Sequence, residues 1–347
     1  MDGINRQWVV SDAPGSAGMC LERAQFARRD VALPQPAEGE VLIRNVYFAC
    51  DPMNHAWVKG LGGRLEPILP GFPMCGGTVG RVISSRHPDF SPGETVSGFL
   101  EFADFVMCST RDRLGAPLQR LPPDLDIASG LATLGMTGLC AYFGMTDIGR
   151  PASGETVVVS GAAGAIGTVA GQIGRIAGGR VIGIAGGPRK CAMLVEELGF
   201  EAAIDYKGED IERRLAELCP KGIDVFFDNV GGAILDTALT QMTRGGRVVV
   251  CGGISGYNGG FGGLRNHLML AIRGFSMAGF YYFDLEDRFP EGASRLAGWL
   301  RSGQILEVLD ISPGFESLPD AALRQFSGEN VGKQLVRICD PVTLASE

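Results

Sequence analysis

Val157-Val158-Val159-Ser160-Gly161-Ala162-Ala163-Gly164-Ala165-Ile166-Gly167 is the stretch that decides how this chain is read. Three valines run into a turn of small residues, and a helical pattern follows over 168–177. Small side chains let backbone N–H groups approach phosphate oxygens, and the start of a helix adds a favourable dipole. A dinucleotide's pyrophosphate is commonly held this way. The spacing departs from G-x-G-x-x-G. Gly164 and Gly167 fill the last two glycine places, Ala162 stands at the first, and Gly161 sits one residue early. Such a turn alone also fits a tight connection in any α/β protein, so the flanking pattern has to decide.

Downstream, strand and helix patterns alternate. Strands are expected at 157–160, 180–185, 202–205, 224–227 and 247–251, with helices at 189–198, 209–219 and 233–242. That succession predicts an α/β fold with a doubly wound, Rossmann-type parallel sheet. A helix at 264–273 and a strand at 274–281 extend it, and 288–302 is a last helix. Upstream of residue 127 the pattern is one of short strands and turns, including 40–47 and the strand within 70–84, with little helical periodicity. It predicts a small antiparallel β domain, a partly open barrel. Residues 124–143 read as helical. Strand-like residues 334–338 suggest that the tail returns to the first domain.

The chain has 347 residues, enough for two domains. Lys plus Arg number 31 against 39 Asp plus Glu, a formal net charge of −8, which argues against a nucleic-acid partner. No long apolar run predicts a membrane span, and the first residues lack a signal-peptide pattern, so a cytoplasmic location is expected. Nine cysteines without C-x-x-C pairs predict reduced, mostly buried thiols.

Cofactor choice is read from the end of the second Rossmann strand, Ile184-Ala185-Gly186-Gly187-Pro188-Arg189-Lys190. The carboxylate that would bond ribose hydroxyls in an NAD site is missing, and two cations follow. Solvated cations at a helix start oppose the helix dipole, so a local anion makes better sense of them. A 2′-phosphate on Arg189 and Lys190, hence NADPH, is expected. No metal is expected: His55, His87 and His267 are the only histidines, and Cys50 has no partners at ligand spacing.

Residues 248–263, V-V-V-C-G-G-I-S-G-Y-N-G-G-F-G-G, pass from a buried strand into a glycine-rich loop at its carboxyl end, where ligands bind in open α/β sheets. Tyr257 there can donate a hydrogen bond to a developing oxyanion, and the glycines suggest a lid. The alternative is a surface tyrosine. Asn229, in F-D-N-V-G-G, closes the fourth strand; capping the next helix is an equal alternative for it.

With these segments in view, the chain resembles the zinc-free branch of the medium-chain dehydrogenase/reductase superfamily that holds prostaglandin and leukotriene reductases, alkenal double-bond reductases and bacterial curcumin reductases. The resemblance rests on C-D-P-M at Cys50, G-M-T-G-L-C-A-Y-F at Gly135, A-A-G-A-I-G-T-V-A-G-Q-I at Ala162 and V-E-E-L-G-F-E-A-A-I-D-Y-K at Val195. F-D-N-V-G-G at Phe227, C-G-G-I-S-G-Y-N at Cys251 and G-E-N-V-G-K at Gly328 complete it. It implies a GroES-like, partly open β-barrel domain at 1–128, a Rossmann NADP-binding domain at 129–308 and a return to the first domain at 309–347, paired as a homodimer. It implies NADPH contacts at Gly164, Ala165, Ile166, Gly167, Gly186, Arg189, Lys190, Tyr206, Asn229, Cys251 and Asn330. Tyr257 would be catalytic, facing the carbonyl of a small enone or enal substrate, with Met53 beside it. Tyr47, just before the Met53 segment, either lines the pocket or packs the strand, two equal alternatives. Reduction of a conjugated C=C bond is the implied activity. Quinone reduction, oxidation of a secondary alcohol and NADPH binding without turnover are its rivals. Relatives often read D-P-Y-M-R-G-R-M where this chain has Asp51-Pro52-Met53-Asn54-His55-Ala56-Trp57, so an aromatic and a basic residue are missing there.

Overall fold

A computed structural model describes residues 3–12, 21–58, 67–257, 260 and 262–341, with Trp57 described in its backbone only. The chain divides into two compact units, Ala132–Val308, and Met1–Leu131 with Leu309–Glu347.

The first of these carries six parallel strands: β1 (Thr156–Ser160), β2 (Arg180–Ala185), β3 (Ala202–Asp205), β4 (Ile223–Asp228), β5 (Met242–Val250) and β6 (Ser276–Gly279). Their spatial order is β3-β2-β1-β4-β5-β6, every pair parallel. β1 is buried throughout because both faces of the sheet are covered by helices, which is why its sequence is a continuous apolar run rather than an alternation. Val158, Ile182, Ile204, Phe226, Leu235, Leu239 and Val248 build the core of one face. The order reverses between β1 and β4, and the carboxyl ends there form the crevice in which such sheets take ligands.

The turn after β1 leads into a helix over Ala165–Ile176. Gly161 takes φ +56°, and a Cβ on Gly167 would lie 2.3 Å from the Gly161 carbonyl oxygen. The obstructing atom is backbone and cannot swing away. Gly167→Ala should therefore cost about 1–3 kcal/mol by overpacking. Urea denaturation checks this, and an unchanged midpoint would show that the turn tolerates a side chain.

Several expected elements differ. Residues 124–143 are not one helix. Asp126 caps a short 3-10 turn over Ile127–Gly130, Gly135 is extended, and the helix begins only at Met136 and ends at Phe143. The helix expected at 264–273 is confined to Met269–Arg273, because the Asp236 carboxylate accepts from the amides of Arg265 and Asn266, each at 2.8 Å, and holds them in a turn. The helix expected at 233–242 stops at Leu239, and buried Met242 already belongs to β5.

In the other unit, Val41–Ala49 pairs antiparallel with Cys75–Ser85, with Phe105–Cys108 and with Lys333–Arg337. Leu309–Pro313 lies parallel to Lys333–Arg337, so the sheet is mixed rather than purely antiparallel. A helix over Pro52–Val58 interrupts the region expected to hold only strands and turns. Seven residues are too few to give a clear helical period, and the proline at its first position fits a helix start.

Candidate functional site

Five expected cofactor contacts and the expected catalytic Tyr257 lie at or just past the carboxyl ends of consecutive strands of Ala132–Val308. Gly164 precedes the helix after β1, Gly186 follows β2, Tyr206 follows β3, Asn229 follows β4, and Cys251 and then Tyr257 follow β5. One fold rule places all of them, since every parallel strand ends on the same side of the sheet.

At the phosphate turn, Gly164 N donates to Gly161 O and Ala162 N to Ile184 O, both at 3.0 Å. Ala165, Ile166 and Gly167 form the first turn of the helix, where backbone N–H groups have no helical acceptor. A Cβ added to Gly164 would meet only Gly161 O, at 3.2 Å, so the turn is lined by backbone.

After β2, Gly187 caps a helix over Pro188–Glu196 at φ +97°. Arg189 is exposed and Lys190 half-buried, both in its first turn. Asp205 accepts from Gly187 N at 2.7 Å and from Lys207 N at 3.0 Å, so this carboxylate is spent on the loop backbone. A Cβ on Gly186 would lie 2.9 Å from the Tyr206 hydroxyl and 3.0 Å from Lys207 Cε. Tyr206, exposed at 43%, and Lys207 thus cover Gly186. Lys207 was not singled out from sequence, although the I-D-Y-K segment contained it.

The end of β4 is a buried polar knot. Ser160 Oγ donates to Asp228 Oδ1 at 2.7 Å and accepts from Asn229 N at 2.9 Å, and Gly231 N donates to Asp228 Oδ2 at 3.0 Å. Burial raises the Asp228 carboxyl above its usual range, against the lowering effect of these donors. Asn229 Nδ2 donates to Ser160 O at 2.8 Å, while its buried Oδ1 finds no hydrogen-bond partner. The helix over Gly232–Leu239 is capped by Gly231, so helix capping is not the role of Asn229. Sequence reasoning missed Ser160 and Asp228, because neither lies near the other in the chain. Asp228→Asn would set an amide NH2 against donors. It is expected to cost about 1–3 kcal/mol, read from the urea midpoint; a neutral effect would mean that the knot does not hold these strand ends.

Cys251 N donates to Asp228 O at 2.9 Å, tying β5's end to β4's. A hydrogen bond with Cys140, and then burial, push the Cys251 thiol well up. Tyr257 follows a short 3-10 turn over Ile254–Gly256 and is half-buried. Burial, and then Cys251, raise its phenol above the usual range of a tyrosine. The phenol is therefore neutral at physiological pH and able to donate. Residues 258, 259 and 261 of the expected lid lie outside the described residues.

In the other unit, Asn330 sits between the helix over Leu318–Ser327 and the strand Lys333–Arg337, its Nδ2 donating to Gly332 O at 3.2 Å. Tyr47, 5% exposed, packs with Val46, Ala49, Val79 and Leu335, the placement of a strand-packing residue. Met53 is half-buried in the first turn of Pro52–Val58. Its neighbours Asn54 and His55 turn inward. Asn54 Nδ2 donates to Ala49 O at 3.1 Å, and His55 Nδ1 accepts from Leu21 N at 2.8 Å beside the Phe326 ring. Most of this departure from the family pattern is thus spent on core packing. Among the described residues, no group of three or more His, Cys, Asp or Glu could hold a metal ion. No helix there is long and apolar enough to cross a membrane.

Two family models match the chain: an N-terminal domain of oxidoreductase over residues 6–114 and a zinc-binding dehydrogenase over 165–298. An NADPH-dependent curcumin reductase of Escherichia coli (strain K12) is 35% identical over 96% of this chain and 97% of its own length. An NADP(+)-dependent 2-alkenal reductase of Nicotiana tabacum is 34% identical over 86% of this chain and 87% of its own. The crystal structure of CurA from Vibrio vulnificus in complex with NADPH superposes with a TM-score of 0.87 at 34% identity, covering 97% of this chain and all of that one (100%).

Proposed function

Because the chain belongs to the medium-chain dehydrogenase/reductase superfamily, in the branch of curcumin, alkenal and prostaglandin reductases, we propose that it uses NADPH to reduce the C=C bond of α,β-unsaturated ketones or aldehydes. The protein is an NADP-dependent oxidoreductase, and its residues suit that cofactor. The turn over Gly161–Gly167 is lined by backbone, a buried Asn229 oxygen awaits a donor, and Arg189 and Lys190 in the first turn of the helix over Pro188–Glu196 suit a 2′-phosphate.

The observation that carries the enone reading is Tyr257, a neutral phenol half-buried past β5 at the sheet end that holds the phosphate turn. NADPH, when bound, supplies the hydride that reduces the conjugated bond. Tyr257 donates to the substrate's carbonyl oxygen and strengthens that bond as enolate charge gathers there. Conjugation already makes the β-carbon electrophilic, so a metal Lewis acid is not needed. Solvent or Tyr257 then returns a proton to the α-carbon.

NADPH consumption against alkenals, aryl enones, prostanoid-like ketones and quinones, together with NADP+ reduction in the presence of an allylic alcohol, tests the proposal, with NMR of each product. A saturated ketone or aldehyde is expected. Turnover confined to quinones or to the alcohol, or cofactor binding without consumption, would overturn it. Because burial raises the phenol above its usual range, kcat should show no loss from Tyr257 ionisation through the physiological range; a basic limb that Tyr257→Phe abolishes near pH ~8 would contradict this. A homodimer in the cytoplasm belongs to the same proposal, and light scattering after gel filtration checks the dimer.

A further inference from the structure

The unit that contains Asn330 and Met53 also holds a buried ion pair. Lys333 Nζ stands 2.5 Å from Asp51 Oδ1, with side-chain exposures of 3% and 9%. Withdrawing two charges from water is costly, and apolar residues of similar size often serve stability as well or better. Stability is therefore weak grounds for the pair, and its position offers better ones. Asp51 directly precedes the helix over Pro52–Val58, and its carbonyl accepts from Asn54 N at 2.9 Å at that helix's start. Lys333 is the first residue of its strand, directly after the loop over 328–332. That loop is pinned at its other points, since Val331 N donates to Asp310 Oδ2 at 3.3 Å, and Asp310 also holds Arg324 at 3.1 Å. The pair thus joins the segment carrying Met53 to the segment carrying Asn330.

We propose that Asp51 and Lys333 are positioning residues that hold the Asn330 loop and the Met53 helix in one register, so that cofactor and substrate contacts on this unit are set together. A charge pair suits this task because it is directional. A slipped register would strand a buried charge, whereas an apolar pair would tolerate the slip. The inference rests on the proposed function and on the contacts that the resemblance implies, Asn330 with NADPH and Met53 beside the substrate.

The test is the full-length double variant Asp51→Leu/Lys333→Met, read by urea midpoint, by NADPH Kd from fluorescence without substrate, and by enone KM at saturating NADPH. The midpoint should match or exceed that of the wild type, while Kd and KM both rise roughly tenfold to a hundredfold. A folded double variant with wild-type Kd and KM would overturn the proposal and leave the pair structural. If the double variant does not fold, Asp51→Asn serves instead, since it keeps the shape and one acceptor for Lys333. A raised Kd there supports the proposal, and an unchanged Kd overturns it. Raised Kd values in variants of a wild type that turns over no enone would sink the enone reading and support this one, because the binding measurement needs no substrate.

Discussion

Tyr257→Phe is expected to lower kcat for an enone roughly tenfold to a thousandfold, with little change in NADPH affinity. The phenol is the polar group of the loop after β5 placed to meet developing charge, and burial keeps its proton on. Its hydrogen bond should be stronger to an enolate oxygen than to a ketone, so its loss falls on turnover more than on KM. Steady-state kinetics on one folded variant decide the point. Equal kcat for tyrosine and phenylalanine would remove Tyr257 from the reaction. A rise in KM alone would make it a binding contact.

The second large effect concerns cofactor choice. Lys190→Ala should raise KM for NADPH and leave that for NADH nearly unchanged, shrinking the ratio of the two kcat/KM values by roughly tenfold to a hundredfold. The loss of one charge-assisted contact to a phosphate sets that scale. Arg189 and Lys207 remain near the same strand ends in this variant, so some preference for NADPH should survive. Two further variants, Arg189→Ala and Lys207→Ala, divide the remainder. A wild-type ratio in Lys190→Ala would place the 2′-phosphate elsewhere.

Two of the corrected elements share a cause. Residues 124–143 and 264–273 have helical composition, yet Asp126 and Asp236 offer the backbone other hydrogen bonds, and these won. The short helix over Pro52–Val58 escaped notice because two turns give too little periodicity to see.

The sequence by itself determined the alternation of strand and helix, the glycine turn after the valine run, the cations at Arg189 and Lys190 and the place of Tyr257 past a buried strand. Each of these is local, written in periods of two or 3.6 residues or in the side chains a turn will accept. Tertiary structure alone decided that Ser160 meets Asp228, that Lys207 lies over Gly186, that Asn54 and His55 face the core and that Asp51 meets Lys333 across 282 positions. Those contacts depend on which strands become neighbours and which way each chain end turns, and no local pattern encodes either.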